Sequence, residues 1–264
     1  MRGLIDGHIH VTEELLPVLK ENCVYCIINS DNLQEYKRLN LKCSMSDFED
    51  GTVTQSAYAT MDKTKNIKIP QLWISAGIHP WKADVTDWQE MEPVLKETKV
   101  IGEIGLDNVW CTVDMEIQRK IFLRQLKLAM DLQKPVILHT KGMEKEVLEI
   151  IRKFPNRYLV HWYSCENYLE EYSKLGCWFT IGPAILQDKV VETVARKVPI
   201  ERLLMESDGL EGISWGQNRK IEVSDYIEIM EEHLRMIAKV RGYKVEILLE
   251  RMKRNFIEFI GISE

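Results

Sequence analysis

Eight short apolar runs, rich in β-branched residues, recur along the chain with helix-patterned stretches between them, and this alternation restricts the fold more than any other feature. The runs are Leu4–His8, Val24–Asn29, Leu72–Gly77, Val100–Gly105, Val136–His139, Tyr158–His161, Trp178–Ile181 and Leu203–Glu206. Most are continuously apolar, as parallel strands covered on both faces must be, rather than alternating in and out. The intervening stretches carry the complementary period: Met115, Phe122, Leu126 and Ala129 share one helical face, as do Val245, Leu248, Leu249, Met252, Phe256 and Phe259. Eight βα units in 264 residues suit a closed (β/α)8 TIM barrel, α/β in class and a single domain over residues 1–264, because such barrels typically need about 250 residues.

Two segments exceed a minimal barrel. Lys42–Ile69 is polar and longer than one connection requires, with a weak helix expected near Val53–Lys63. Gly209–Ile221 reads as a loop after the eighth strand, where barrel enzymes build substrate contacts, and it carries Trp215, Arg219 and Lys220.

Charge and composition narrow the function classes. Lys plus Arg number 35 against 41 Asp plus Glu, a net charge of −6, which argues against coating long nucleic acid by charge alone while leaving a nucleic acid held at one small site open. Asp6, His8 and His10 interrupt the opening residues where a signal peptide would be apolar, and no run of about 18 apolar residues occurs, so a cytoplasmic protein without membrane association is expected. The six cysteines lack zinc-knuckle spacing. Cys23-Val-Tyr-Cys26 is a lone pair opening an apolar run, read as buried thiols rather than a redox or metal motif.

The chemistry lies at the strand ends. His8 and His10 stand two apart, so strand geometry points both imidazoles to one side. His139 and His161 end the fifth and sixth runs, Glu103 lies near the end of the fourth, and Asp208 follows the eighth. Barrel enzymes draw their catalytic groups from these carboxyl ends, so four imidazoles and two carboxylates are expected in one mouth. His233, within a helix, is the ordinary histidine. Nitrogen and oxygen donors without thiolate favour Zn²⁺, Mn²⁺ or Mg²⁺, and six donors allow two divalent ions bridged by Glu103.

These residues fall in ordered motifs: Ile-Asp6-Gly-His8-Ile-His10, Gly77-Ile-His79-Pro80, Ile-Gly102-Glu103-Ile-Gly-Leu-Asp107, Pro135-Val-Ile-Leu-His139, His161-Trp-Tyr-Ser164 and Leu-Leu-Met-Glu206-Ser-Asp208. Together they resemble the TatD-like metal-dependent deoxyribonucleases of the amidohydrolase-type barrel superfamily, over almost the whole chain from Ile5 to Phe259. The resemblance implies that His8, His10 and Asp208 hold one ion, that His139 and His161 hold a second, and that Glu103 bridges them. It also implies that His79 faces the substrate phosphate; the alternative is a loop histidine fixed by Pro80. Relatives with a carboxylated lysine bridge would need Lys where Glu103 stands. Glu206 reads as a carboxylate supporting a ligand or sharing a proton, or else as a core carboxylate paired to a cation. Asp107 is read the same way, with a turn-forming aspartate as the alternative.

Departures from the family pattern concentrate on the substrate side. His-Ser-Arg is replaced by His139-Thr-Lys141, which keeps the charge and loses the bidentate fork. After the eighth strand Gly209-Leu-Glu-Gly replaces the family's Pro-Tyr, Gln217-Asn218-Arg219-Lys220 only loosely resembles its Arg-Asn turn, and the tyrosine turn after Asp107 becomes Asn108-Val109-Trp110. The expected activity is hydrolysis of phosphodiester bonds at DNA ends or in single strands, by a hydroxide bridging the ions. Asp208 accepts the nucleophile's proton, His79, Lys141 and Arg219 grip the phosphate, and Trp110, Trp162 or Trp215 stack a base. A hydrolase of a small ester, lactone, amide or phosphoester, or a non-catalytic metal-loaded partner protein, are the alternatives.

Overall fold

The computed structural model describes residues 3–44 and 71–262. Eight parallel strands form one sheet in the order of the chain: β1 (Leu4–Ile9), β2 (Cys23–Ser30), β3 (Gln71–Ala76), β4 (Val100–Gly105), β5 (Val136–His139), β6 (Tyr158–Val160), β7 (Trp178–Ile181) and β8 (Leu203–Met205). The ring closes between β8 and β1, where Asp208 N donates to the His8 carbonyl at 3.1 Å and Ser207 N to Asp6 Oδ1 at 3.0 Å. The result is the expected (β/α)8 barrel, with ladders from β1 through β8, these contacts drawing β8 to β1, and every carboxyl end at one mouth.

Helices alternate with the strands: α1 (Leu15–Asn22), α2 (Leu33–Ser44), α3 (Trp88–Glu97), α4 (Met115–Asp131), α5 (Glu144–Ile151), α6 (Leu169–Lys174), α7 (Lys189–Lys197), α8 (Gly209–Gln217), α9 (Tyr226–Arg241) and α10 (Val245–Ile260). Several begin on an aspartate that caps the first turn. Asp87 accepts from Gln89 N at 2.7 Å, Asp114 from Glu116 N at 2.8 Å, and Asp188 from Val190 N at 2.7 Å, each satisfying a donor the helix cannot. The apolar faces read from sequence do pack on the barrel: Phe122, Leu126 and Ala129 of α4 are buried, as are Leu248, Leu249, Met252, Phe256 and Phe259 of α10. Phe256 stacks on Tyr25 of β2 with ring centroids 5.3 Å apart. Burying a side chain of that size stabilises the fold by about 1.5–3 kcal/mol.

Cys23 and Cys26 are buried free thiols at the start of β2 and within it, and burial pushes both thiols up, so neither offers a reactive thiolate. No helix among the described residues is long and apolar enough to cross a membrane.

One expectation lies mostly beyond the described residues and another changes. Lys42 to Ser44 belong to α2, while the remainder of the Lys42–Ile69 segment, including Val53–Lys63, lies outside the described residues. The Gly209–Ile221 segment is not a loop: Gly209–Gln217 form α8. Its glycines conceal the helix from propensity, but Ile213 is fully buried and Leu210 packs on the core, and tertiary packing overrides a per-residue cost of about 1 kcal/mol for each glycine.

Candidate active site

At the mouth, β1 brings in His8 and, just past its end, His10; β4 brings Glu103, the turn after β3 His79, β5 His139, the residue after β6 His161, and the third residue after β8 Asp208. Asp208 (φ 58°) and Gly209 (φ 79°) both adopt left-handed backbone, which turns the chain from β8 straight into α8. Aspartate tolerates that conformation, and at Gly209 any Cβ would collide with the His10 carbonyl.

Five imidazoles converge on the buried Glu103 carboxylate. Its Oε1 lies 2.5 Å from His139 Nδ1, 2.8 Å from His161 Nε2 and 3.3 Å from His79 Nε2. Its Oε2 lies 3.4 Å from both His8 Nε2 and His10 Nε2, and Asp208 Oδ1 stands 3.2 Å from His8 Nε2. Burial alone would raise the Glu103 carboxyl, but the surrounding imidazoles outweigh it and hold the group well below the usual carboxylate range. Burial likewise opposes charge on His10, yet Glu103, Asp31 and Asp208 push it up to about 10.

The carboxylates that favour positive charge on these rings would favour a bound cation in the same way, and its uptake would release protons, since ligands must deprotonate to bind metal. The donors also fit one by geometry. Three sets each keep their ligand atoms within 4.8 Å of one another: His8, His161 and Asp208; His8, His10 and Glu103; and His79, Glu103 and His139. His8 Nε2 is buried without a hydrogen-bond partner, although it points between two carboxylates. An orphaned imidazole nitrogen in such a place is what a divalent ion satisfies. The sets overlap: His161 lies near His8 and Asp208 and also 3.3 Å from His139 Nδ1, and His79 Nε2 comes within reach of Glu103, so proximity alone does not divide the donors between ions.

A second layer orients the rings. Asp107 Oδ2 meets His139 Nε2 at 3.0 Å and accepts from Trp81 Nε1 at 2.7 Å, while Oδ1 accepts from Val109 N and Trp110 N. Asp107 therefore both forms the turn and aims His139. Glu206, fully buried, lies 3.6 Å from His161 Nδ1, with both oxygens free of hydrogen bonds. Its neighbour is an imidazole ligand candidate rather than a lysine or arginine. Lys141 lines the cavity, its Nζ 4.5 Å over the Trp110 ring and donating to Ser164 Oγ at 3.3 Å.

Arg219 is not brought to the site. The nine residues of α8 carry the chain roughly 14 Å away from Asp208, and Arg219 is exposed beyond the helix end, bonded to Gln217 at 3.0 Å.

Several contributors escaped the sequence reading. The Asn29 amide spans His8 Nδ1 (2.8 Å) and Ser75 Oγ (2.5 Å). Its Nδ2 faces His8 Nδ1 and its Oδ1 accepts from Ser75 Oγ, so the amide fixes the His8 ring from behind. Asp6 accepts from Ser207 Oγ (2.5 Å) and Tyr226 OH (2.7 Å), clamping β1 to the residue before Asp208. Asn29 and Ser75 were visible as polar residues inside apolar strands; Tyr226, 220 residues from its partner, left no signal.

Residues 5–261 match the family described as TatD related DNase. The chain belongs to that family. Among curated relatives of this TatD-family chain, the 3'-5' RNA nuclease TATDN2 of Homo sapiens is 25% identical over 203 residues, covering 72% of this chain and 27% of that protein. The chain thus spans about a quarter of the human relative's length. The putative deoxyribonuclease tatdn3 of Danio rerio is 23% identical over 278 residues, covering 98% of each. Among solved structures, the TATD homolog YJJV of Escherichia coli k12 superposes with a TM-score of 0.77 at 18% identity over 98% of both chains. A TatD family hydrolase of Entamoeba histolytica follows at 0.72 and 16%, again over 98% of both chains. At that identity the two structures establish the fold this TatD-family chain shares with them.

Proposed function

We propose that the protein is a divalent-metal-dependent deoxyribonuclease that hydrolyses phosphodiester bonds at DNA ends or in single strands. One observation carries the reading: five imidazoles and Asp208 gather around the buried Glu103 at the floor of a cavity of about 810 Å³, in a chain of the TatD family. His8, His10 and Asp208 would hold one ion of the Mg²⁺, Mn²⁺ or Zn²⁺ class and His139 and His161 a second, with the Glu103 carboxylate within reach of all four imidazoles. Bound there, the metal supplies Lewis-acid polarisation of the phosphoryl oxygens and a water acidic enough to attack at neutral pH.

The chain's own residues do the rest. Asp208, half-open to the cavity and 3.2 Å from His8, accepts the proton of the attacking water. His79, whose Nδ1 accepts from Trp81 N at 3.2 Å, keeps Nε2 toward the reacting centre and can donate to a phosphoryl oxygen. Lys141 supplies a positive charge on the cavity lining, Asp107 holds His139 in orientation, and Glu206 sets a carboxylate 3.6 Å from His161 Nδ1.

A second reading, hydrolysis of a small ester, lactone, amide or phosphoester, draws on the rim. Asp31, Glu144, Asp188 and Glu211 line the cavity, where Lys141 is the sole lysine and no arginine appears among the described residues. A rim of that sign favours a short substrate over a long polyanion. Six free cysteines accord with a reducing, cytoplasmic compartment.

The test is metal-exchanged protein assayed on end-labelled single- and double-stranded DNA, RNA and small phosphodiesters, with product ends mapped. Cleavage of DNA from an end, abolished by chelation while the barrel stays folded, is expected. Absence of metal uptake at micromolar ion, or turnover confined to an uncharged ester or lactone, would overturn the proposal.

A further inference from the structure

Resting on the reading of the site as a phosphodiesterase, we propose that Trp215 and Trp162 form a stacking wall that binds the nucleobase adjoining the scissile phosphate, so that substrate is selected by its base rather than by its chain of phosphates. Three tryptophans meet on one side of the cavity. Trp215 of α8 stands edge-on to Trp162, with centroids 5.5 Å apart, and to Trp110, at 5.9 Å. Trp215 is 62% exposed and Trp110 49%, an apolar expanse that solvent disfavours and that a planar ligand would cover.

The wall is preorganised. Trp162 follows the ligand candidate His161 directly, in left-handed backbone (φ 37°), and its ring lies so close against Gly182 that any Cβ there would overlap it. A ring wedged in this way cannot swing aside, so little rotamer entropy is lost when a ligand stacks on it. The Trp110 face is already taken by the Lys141 ammonium, leaving the exposed Trp215, beside the fixed Trp162 ring, as the open surface.

The occupant follows from charge. Lys141 lines the cavity that the wall and the donor cluster share, and its Nζ lies over Trp110, whose ring is 5.9 Å from Trp215, so a single cation is available for one phosphate near the aromatic group. Asp188 and Glu211, also on the cavity lining, oppose any further phosphates on that side. Stacking is indifferent to net charge, whereas phosphate contact is not, so an acidic rim with an indole wall matches a single terminal nucleotide. The wall also depends on the departures from the family pattern, since Trp110 lies in the altered turn after β4 and Trp215 in the altered segment after β8.

The experiment compares metal-loaded protein on two end-labelled single strands that differ only in their terminal residue, one carrying a base and the other a tetrahydrofuran abasic residue, with Trp215→Ala and Trp215→Phe as variants. Because Trp215 is exposed, the fold should survive both. Wild type should favour the base-bearing end by about tenfold or more in kcat/KM. Trp215→Ala should bring the ratio close to one, and Trp215→Phe should restore most of it. In parallel, calorimetric titration with deoxyadenosine monophosphate reads base binding without turnover, and Trp215→Ala should raise its Kd about tenfold. Equal rates on the two ends in wild type, or a ratio and Kd unmoved by Trp215→Ala, overturns the stacking wall while leaving the nuclease reading intact. Nucleotide binding that depends on Trp215 without cleavage of any phosphodiester upholds the wall and overturns the nuclease reading.

Discussion

Replacing Asp107 by asparagine tests whether the orientation of His139 governs metal affinity. Asparagine keeps an oxygen for Val109 N and Trp110 N, so the turn after β4 survives, and it places an NH₂ group where Oδ2 meets His139 Nε2 at 3.0 Å and Trp81 Nε1 at 2.7 Å. The imidazole loses a charged acceptor on the side opposite Glu103. A hydrogen bond to a charged partner is worth about 1.5–3 kcal/mol. Loss of such a partner behind a ligating histidine lowers metal affinity or activity by about 10–100-fold, or about 1.4–2.7 kcal/mol, and the two magnitudes agree. The assay is competition against a chromophoric chelator, read beside kcat/KM on a phosphodiester. Trp81→Phe is the control, because it removes the indole donor to Asp107 and leaves the His139 contact, and it should cost much less affinity. Asp107→Asn binding metal as tightly as wild type, or Trp81→Phe losing as much, would refute the orienting role and leave Asp107 a turn former.

Glu103→Gln and Asp208→Asn preserve volume while removing the charges around which the imidazoles gather, and each should lower kcat by on the order of 10²-fold or more, with smaller effects on KM; near wild-type turnover in either removes its assigned role. Lys141→Ala should raise KM more than it lowers kcat, whereas Lys141→Arg should retain binding through a fork that can also lie on Trp110; a neutral alanine variant shows that phosphate is held elsewhere. His233 gives a pH prediction remote from the donors. It is buried in α9, its Nε2 donates to the Ile181 carbonyl at 2.7 Å, its Nδ1 has no partner, and burial pushes it down to about 4. Since the unfolded chain takes up the proton near pH 6.5 and the folded one only near 4, stability from this residue is complete above about pH 6.5 and is lost as pH falls through that interval, by about 2 kcal/mol at about pH 5. Urea unfolding of wild type and His233→Gln between about pH 7.5 and pH 5 should therefore diverge; parallel curves exclude the linkage.

Local pattern determined a great deal here. The eight apolar runs prescribed parallel strands, and β4, β5 and β7 begin and end where the sequence runs place them, because strands covered on both faces are mostly apolar and their few polar residues do not impose an alternating pattern. Once the strands form a barrel, the histidines and carboxylates at their ends must share a mouth, so the membership of the cluster was legible from spacing. What spacing could not supply is distance across the ring. Which imidazole faces which carboxylate, the placing of His79 within the donor cluster, and the clamp from Asp6 to Tyr226 depend on how strands from opposite ends of the chain close on each other. The helix over Gly209–Gln217 was likewise invisible, for three glycines read locally as a loop, whereas burial of Ile213 against the barrel outweighs their entropy. That helix decides which residues meet substrate: it raises Trp215 into the cavity wall beside Trp110 and Trp162 and carries Arg219 out of reach. Periodicity records whether a side chain faces the core or the solvent, and only the packed structure settles which partners it finds there.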